Sequence, residues 1–248
     1  MKRIILIILR NLYRIPFIWF KLCHYAKHSD RYSEKQKYSF IRKIARWMVN
    51  GGRITLEVYG AEHIPQESGF MIFPNHQGLF DGFAIVQALE VPFSTVYKKE
   101  LENVPFMKQV FSCVKAIPLN REDIRQGLEV INKVADEVKE GRNFMIFSEG
   151  TRSKNGNQLL DFKGGSFKSA IKAKCPIMPI ALIDSYKVFD VHSIKRITVQ
   201  VHLLEPLQYE DYKEMKAAQI ASVVKESIEK TVEKHSQNES KNLEDGRI

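Results

Sequence analysis

Beyond Gly51 the chain alternates short apolar runs with stretches of helical periodicity. The runs cover residues 54–59, 70–73, 93–97, 114–119, 144–147 and 177–183, with a later one at 196–204. Their lengths suit strands, and the segments between them suit helices. The clearest helix is expected over 122–140. Ile124, Leu128, Ile131, Val134 and Val138 share one of its faces, Glu122 and Asp123 occupy its first turn, and Gly141 can end it. A late amphipathic helix is expected over 210–234 through Met215, Ile220, Val224, Ile228 and Val232. This alternation predicts an α/β fold over residues 51–236, a mixed and largely parallel sheet flanked by helices. Residues 237–248 read as a disordered, solvated tail.

Residues 1–50 follow another pattern. Residues 4–9, Leu12, Tyr13, Ile15, Phe17, Ile18, Trp19, Phe20 and Leu22 are apolar or aromatic, whereas Arg3, Arg10, Arg14 and Lys21 lie within about 20° of one line on a helix. Such a helix suits a membrane interface. Arg10 and Arg14 interrupt any spanning segment, and Pro16 is expected to kink or split the helix. No small-residue cleavage site follows the apolar run, so a signal peptide fits poorly. Residues 34–50 repeat the theme through Phe40, Ile41, Ile44, Trp47 and Met48. Residues 1–50 are therefore expected to form a two-helix, membrane-binding platform. The competing reading packs these faces on the rest of the protein.

Composition sharpens this picture. With 44% hydrophobic and 27% charged residues in 248, the chain is not collagen-like, coiled-coil, disulfide-rich or wholly disordered. Its net charge is +9, but residues 1–50 hold twelve Lys/Arg against two acids, a net of +10, and the remainder nets −1. A basic segment this aliphatic and aromatic argues for an anionic membrane surface and against nucleic acid. Three cysteines without metal spacing argue against a disulfide framework and for a reducing compartment.

Two segments carry candidate chemistry. In Phe73-Pro-Asn-His-Gln-Gly-Leu-Phe-Asp81, His76 falls just past an expected strand and Asp81 at an expected helix start. A helix would set them about 140° apart, so pairing needs His76 in the turn, which Gly78 and Gly82 permit. A His oriented by a carboxylate is a general base; a structural hydrogen bond is the alternative. After the run at 144–147 comes Ser148-Glu149-Gly150-Thr151-Arg152-Ser153, polar and flexible at a strand's C-terminal end, where open α/β sheets place ligands. Arg152 offers a fork of donors to a phosphate, and Thr151 and the Gly150 amides can add to it. The alternative is an ordinary polar loop in which Glu149 and Arg152 pair. Lys98, Lys99 and Arg121 each bring a cation to the end of another run. There is no nucleotide P-loop, Gly-x-Ser-x-Gly elbow or HExxH pattern, so neither nucleophilic nor metal catalysis finds support.

Taken in order, these pieces resemble the glycerolipid acyltransferase family, and within it the small 1-acylglycerol-3-phosphate (lysophosphatidic acid) acyltransferases. Asn75-His76-x4-Asp81 matches the family's first block, Ala116 to Arg121 is similar to the second, and Phe147-Ser-Glu-Gly-Thr-Arg-Ser153 is similar to the third. Pro176-Ile-Met-Pro-Ile180 looks like the fourth. Lys98-Lys99-Glu100-Leu101 and Lys163-Gly164 match two lesser elements. Ser148 stands where Pro is usual and Lys115 where Gly is common. The resemblance implies transfer of a fatty acyl group from acyl-CoA or acyl-carrier protein to the sn-2 hydroxyl of lysophosphatidic acid, with no metal or organic cofactor. A related enzyme acting on another lysophospholipid or on glycerol 3-phosphate is the alternative. His76 is then the base and Asp81 its orienter. Arg121, Arg152 and Lys98 or Lys99 would bind the acceptor phosphate, and Glu149, Gly150 and Thr151 would complete the acceptor site. The implied location is the cytoplasmic face of the cell membrane, peripheral or monotopic.

Overall fold

The computed structural model describes residues 2–121 and 123–244. The first three helices are α1 (Lys2–Asn11), α2 (Ile15–Lys27) and α3 (Glu34–Gly51). Then come β1 (Ile54–Tyr59), β2 (Met71–Pro74), α4 (Asp81–Ala88), β3 (Ser94–Lys98), α5 (Pro105–Cys113), β4 (Ile117–Leu119), α6 (Ile124–Lys139) and β5 (Phe144–Met145). The chain continues through α7 (Lys168–Ala173), β6 (Ile177–Ile183), β7 (Ile197–Leu203), α8 (Tyr209–Tyr212) and α9 (Ala217–Glu244). Every expected apolar run supplies a strand. The seven strands form one sheet in the order β1-β7-β6-β2-β5-β3-β4, parallel except between β6 and β7. The fold is the expected mixed, largely parallel α/β sheet flanked by helices.

Helices cover both faces, which is why β6 is buried at every residue. Its alternation sorts the core. Met178, Ile180 and Leu182 face the layer holding α2 to α5, and Ile177, Ala181 and Ile183 face α6, α7 and α9.

Three helical details differ from expectation. In α6, Val130, Val134 and Val138 are buried while Leu128 is 52% exposed, so the inward face is rotated from the one the spacing suggested. Asp123 caps that helix by accepting from the Arg125 and Gln126 amides and does not sit in its first turn; Glu122 lies outside the described residues. The late helix divides into α8 and α9, with Met215 between them, and its backbone stays helical past Gln237 to Glu244. Residues 245–248, the end of the expected tail, lie outside the described residues.

The N-terminal platform needs the larger correction. Pro16 splits the first segment as expected, at the start of α2. The apolar face of α3, however, is core: Tyr38, Phe40, Ile41, Ile44 and Ala45 are all buried. Arg42 donates to the carbonyls of Val86 and Gln87 at 3.2 Å, and the Tyr38 hydroxyl donates to Leu89, fixing α3 against α4. Leu22 of α2 is fully buried as well. Removing a leucine of this kind from water stabilises by roughly 2–3 kcal/mol. Of the cationic stripe of α1 and α2, Arg3, Arg14 and Lys21 turn toward the protein while Arg10 stays exposed. Arg3 donates to the carbonyls of Gly52 (2.6 Å) and Lys195 (2.8 Å), Arg14 lies 4.9 Å from the Trp47 ring, and Lys21 lies 4.9 Å from that of Phe40. What faces outward is mainly apolar: Ile5, Ile8, Leu9, Leu12, Tyr13, Phe17 and Phe20 are exposed. Among the described residues no helix is long and apolar enough to cross a membrane.

At the other end of the chain, α9 closes on the β1–β7 edge through a ring stack. His202 lies 4.6 Å from Tyr59 and 4.3 Å from His235, and its Nε2 is 2.9 Å from Gln200 Oε1. Burial, then the nearby His235 and Lys234, lowers the His202 pKa from 6.5 to about 4. As pH falls, the unfolded chain takes this proton first, so the stability held by neutral His202 is complete above 6.5 and declines toward 4. Its upper size is about 3 kcal/mol. We expect urea midpoints of the wild type to fall more steeply between pH 7 and 4.5 than those of His202→Phe, which keeps the stack without the titration. Parallel curves would refute the assignment.

Candidate active site

β2 ends at Pro74, and the chain then turns through His76 before α4 begins at Asp81. Both neighbours of His76 anchor the turn to β6. The Asn75 side chain donates to Leu182 O (3.0 Å) and accepts from Leu182 N (2.7 Å), extending the β2–β6 ladder after its last backbone pair, Pro74 with Ile180. Gln77 donates to the same carbonyl at 2.8 Å and accepts from Ser185 N at 2.9 Å. Gly78 passes so near Tyr186 that a Cβ would sit 3.1 Å from its Cα.

This turn lets the i, i+5 pair meet. His76 Nδ1 lies 2.7 Å from Asp81 Oδ2, which also accepts from the amides of Gln77 (2.6 Å) and Gly78 (2.9 Å). Asp81 Oδ1 accepts from Ser185 Oγ at 2.5 Å. Asp81 is fully buried, so these four donors replace the water it loses. The pairing sets the proton on Nδ1 and leaves Nε2 as the basic lone pair. The ring stacks on Phe147 with centroids 3.9 Å apart, and its side chain keeps 20% exposure. A fixed, partly exposed ring bonded to a carboxylate through Nδ1 is the geometry of a general base.

Glu149 supports the same turn from the loop that follows β5, the strand beside β2. Its carboxylate accepts from His76 N (2.7 Å) and Leu160 N (3.1 Å), and the residue is 3% exposed. Burial raises its pKa while the two amides act against that rise. Glu149 does not pair with Arg152, which has no carboxylate in salt-bridge range among the described residues. The loop is therefore not self-neutralised. Gly150 takes φ +74°, and a Cβ there would lie 2.9 Å from Lys163 Nζ, so the ammonium of Lys163 rests against the glycine.

The remaining cations sit farther along the same rim. Lys98 ends β3, Lys99 follows it, and Arg121 follows β4, both strands parallel to β2 and β5. Lys98 pairs with Glu100 at 2.9 Å, and that hydrogen bond, with Arg121 contributing, holds the Glu100 carboxyl below its ordinary pKa. At about 4.8 Å per strand, β3 is roughly 10 Å from β2 and β4 roughly 14 Å. The structure thus joins His76, Asp81 and Glu149 by direct bonds. It sets Thr151 and Arg152 on the adjoining loop and leaves Lys98, Lys99 and Arg121 to one side. Nothing in its sequence context singles out Ser185, and Phe147, which opens the third block, carries no role there. Among the described residues no three His, Cys, Asp or Glu gather where they could hold a metal.

A sequence model of the family described as Acyltransferase matches residues 55–183, just over half of the 248. The chain belongs to the acyltransferase family. Proteins named 1-acyl-sn-glycerol-3-phosphate acyltransferase are similar to this acyltransferase. That of Borreliella burgdorferi is 30% identical over 196 residues, 77% of this chain and 76% of its own. The alpha form of Ovis aries is 29% identical over 179 residues, 71% of this chain and 62% of its own. The crystal structure of the 1-acyl-sn-glycerophosphate (LPA) acyltransferase PlsC from Thermotoga maritima shares the acyltransferase's fold. The TM-score is 0.74 over 94% of this chain and 98% of that one, at 20% identity.

Proposed function

We propose that the enzyme moves a fatty acyl group from an acyl thioester to the sn-2 hydroxyl of 1-acyl-sn-glycerol-3-phosphate, forming phosphatidic acid for phospholipid biosynthesis. His76 Nε2 removes the hydroxyl proton as the oxygen attacks the thioester carbonyl. The new C–O bond forms, the C–S bond breaks, and the proton passes from His76 to the departing thiolate. Asp81 holds the imidazole and stabilises the imidazolium between these steps. The step as written uses no metal or organic cofactor, because the thioester arrives activated.

The observation that carries this reading is the Asp81–His76 pair at the strand ends, its bond made through Nδ1 and its imidazole partly exposed. Arg152 and Thr151, with Lys98, Lys99 and Arg121 farther out, would take the acceptor phosphate, while Glu149 and Gly150 shape the loop. The outward apolar face of α1 and α2 would seat the enzyme on the cytoplasmic leaflet, where an acceptor with one acyl chain resides. With acyl-CoA or acyl-carrier protein as donor, purified enzyme is expected to acylate lysophosphatidic acid at least tenfold faster than headgroup-bearing lysophospholipids or glycerol 3-phosphate. A different preferred acceptor would replace this assignment, and the same assay names the donor.

A further inference from the structure

A groove of about 910 Å³ lies away from His76, between α1, α3 and the outer edge of β1. Four guanidinium groups line it: Arg10 of α1, Arg46 of α3, Arg53 before β1 and Arg196 before β7. No carboxylate lines it, and none of the four forms an ion pair among the described residues. Arg3 adds a fifth positive charge beside them. It is fully buried, its Nε has no hydrogen-bond partner, and burial followed by the charge of Arg53 lowers its pKa. The four groove arginines are exposed and Arg3 is held by the carbonyls of Gly52 and Lys195, so the groove is a solvated but strongly positive surface with no anion of its own. Arg53 also holds φ +55°, a conformation that L side chains resist, directly after two glycines.

The topology says where this groove opens. Because β7 runs antiparallel to β6, with Ile183 opposite Gln200, the start of β7 lies at the sheet end where β2 and β6 finish. β1 is parallel to β7, with Ile54 opposite Ile197, so Arg53 and Arg196 stand at that same end. The groove therefore opens on the side of the sheet that carries His76. It is three strands from β2, roughly 14 Å, and on the opposite side from Lys98 and Arg121. An acceptor phosphate held beside Arg152 or Arg121 does not fill it.

We infer that the groove binds the phosphate headgroup of an anionic membrane phospholipid, distinct from the acceptor undergoing reaction. Guanidinium forks match phosphate oxygens in pairs. The apolar part of the lining, Val49, Leu56 and Val58 over the buried Ile54, suits the adjoining glycerol and the start of an acyl chain. Arg10 lies between Leu9 of α1 and Leu12 just after it, which are 64% and 58% exposed, so the cations sit beside the surface proposed to meet lipid. A headgroup here would fix the β1 edge of the sheet at the leaflet.

The test uses the full chain and short-chain lipids below their micellar concentration, so that neither bilayer seating nor turnover enters the reading. By native mass spectrometry and calorimetry, dihexanoyl phosphatidylglycerol is expected to bind one to one, at least tenfold more tightly than dihexanoyl phosphatidylcholine. Arg46→Gln/Arg196→Gln should weaken that binding at least tenfold. Lys133→Gln/Lys168→Gln, which removes two charges from α6 and α7, should leave it unchanged. Equal loss in both double variants would show diffuse attraction and overturn the site, as would unaltered binding by the arginine variant. Equal affinity for the two lipids, or displacement by equimolar inorganic phosphate or coenzyme A, would overturn the lipid assignment. Each result stands whichever acceptor the catalytic site proves to use.

Discussion

Replacing His76 by Ala is expected to lower kcat/KM for acyl transfer by about 10²–10⁴-fold, the usual contribution of a positioned general base. The fold should survive this change. Three of the four donors to Asp81, the amides of Gln77 and Gly78 and the hydroxyl of Ser185, remain in place. Glu149 continues to bind the backbone amide of residue 76, which the substitution leaves intact. The ring itself reaches the surface and packs mainly on Phe147, so the stability cost should be on the order of 1 kcal/mol. Initial rates on purified protein, with circular-dichroism melting alongside, separate the two effects. Turnover within a few-fold of wild type would remove His76 from the mechanism.

Asp81→Asn should be nearly as damaging for a different reason. Three donors converge on Asp81 Oδ2, so the amide oxygen must occupy that position and the new NH2 must face Ser185. The serine hydroxyl can turn from donor to acceptor. Geometry is then retained while the negative charge disappears. The imidazolium formed during transfer loses its counter-charge, and a comparable change in a Ser-His-Asp triad costs about 10⁴ in rate. Here we expect a fall of about 10³-fold, with at most about 1–3 kcal/mol of stability lost as charge-assisted hydrogen bonds become neutral ones. A variant that melts like wild type and turns over within tenfold of it would show that Asp81 serves the fold alone.

The parts of the site that a reader of the sequence can find are local ones. His76 and Asp81 are five positions apart, and residues 149 to 152 are contiguous, so one turn and one loop bring them out. Ser185 completes the Asp81 carboxylate from 104 positions away, through the placement of β6 beside β2. Nothing in the Ile183-Asp-Ser185 context announces that contact. The sheet was legible because short apolar runs have few other uses in a chain of this size. Helix faces were less so. In α6, residues 128 and 130 both fall on plausible stripes, and the position of the sheet, which periodicity does not contain, selects the one through Val130. The N-terminal cations show the same gap. A helix with one basic and one apolar side reads alike whichever side meets the protein, and here the carbonyls of Gly52 and Lys195 claim Arg3 while the apolar side is left outward.

The burial of Leu22 beneath α2 sets how much freedom the proposed anchor has. A membrane anchor on a flexible linker lets its enzyme sample many heights and tilts above the lipid. In this protein the helix that bears Phe17 and Phe20 on its outer side is part of the wall of the core, packed against α5 without an intervening tether. Anchor and catalytic site are therefore parts of one packed unit. On the proposed seating, the height of His76 above the bilayer is a fixed property of the fold, and it is the acceptor that must rise to the base.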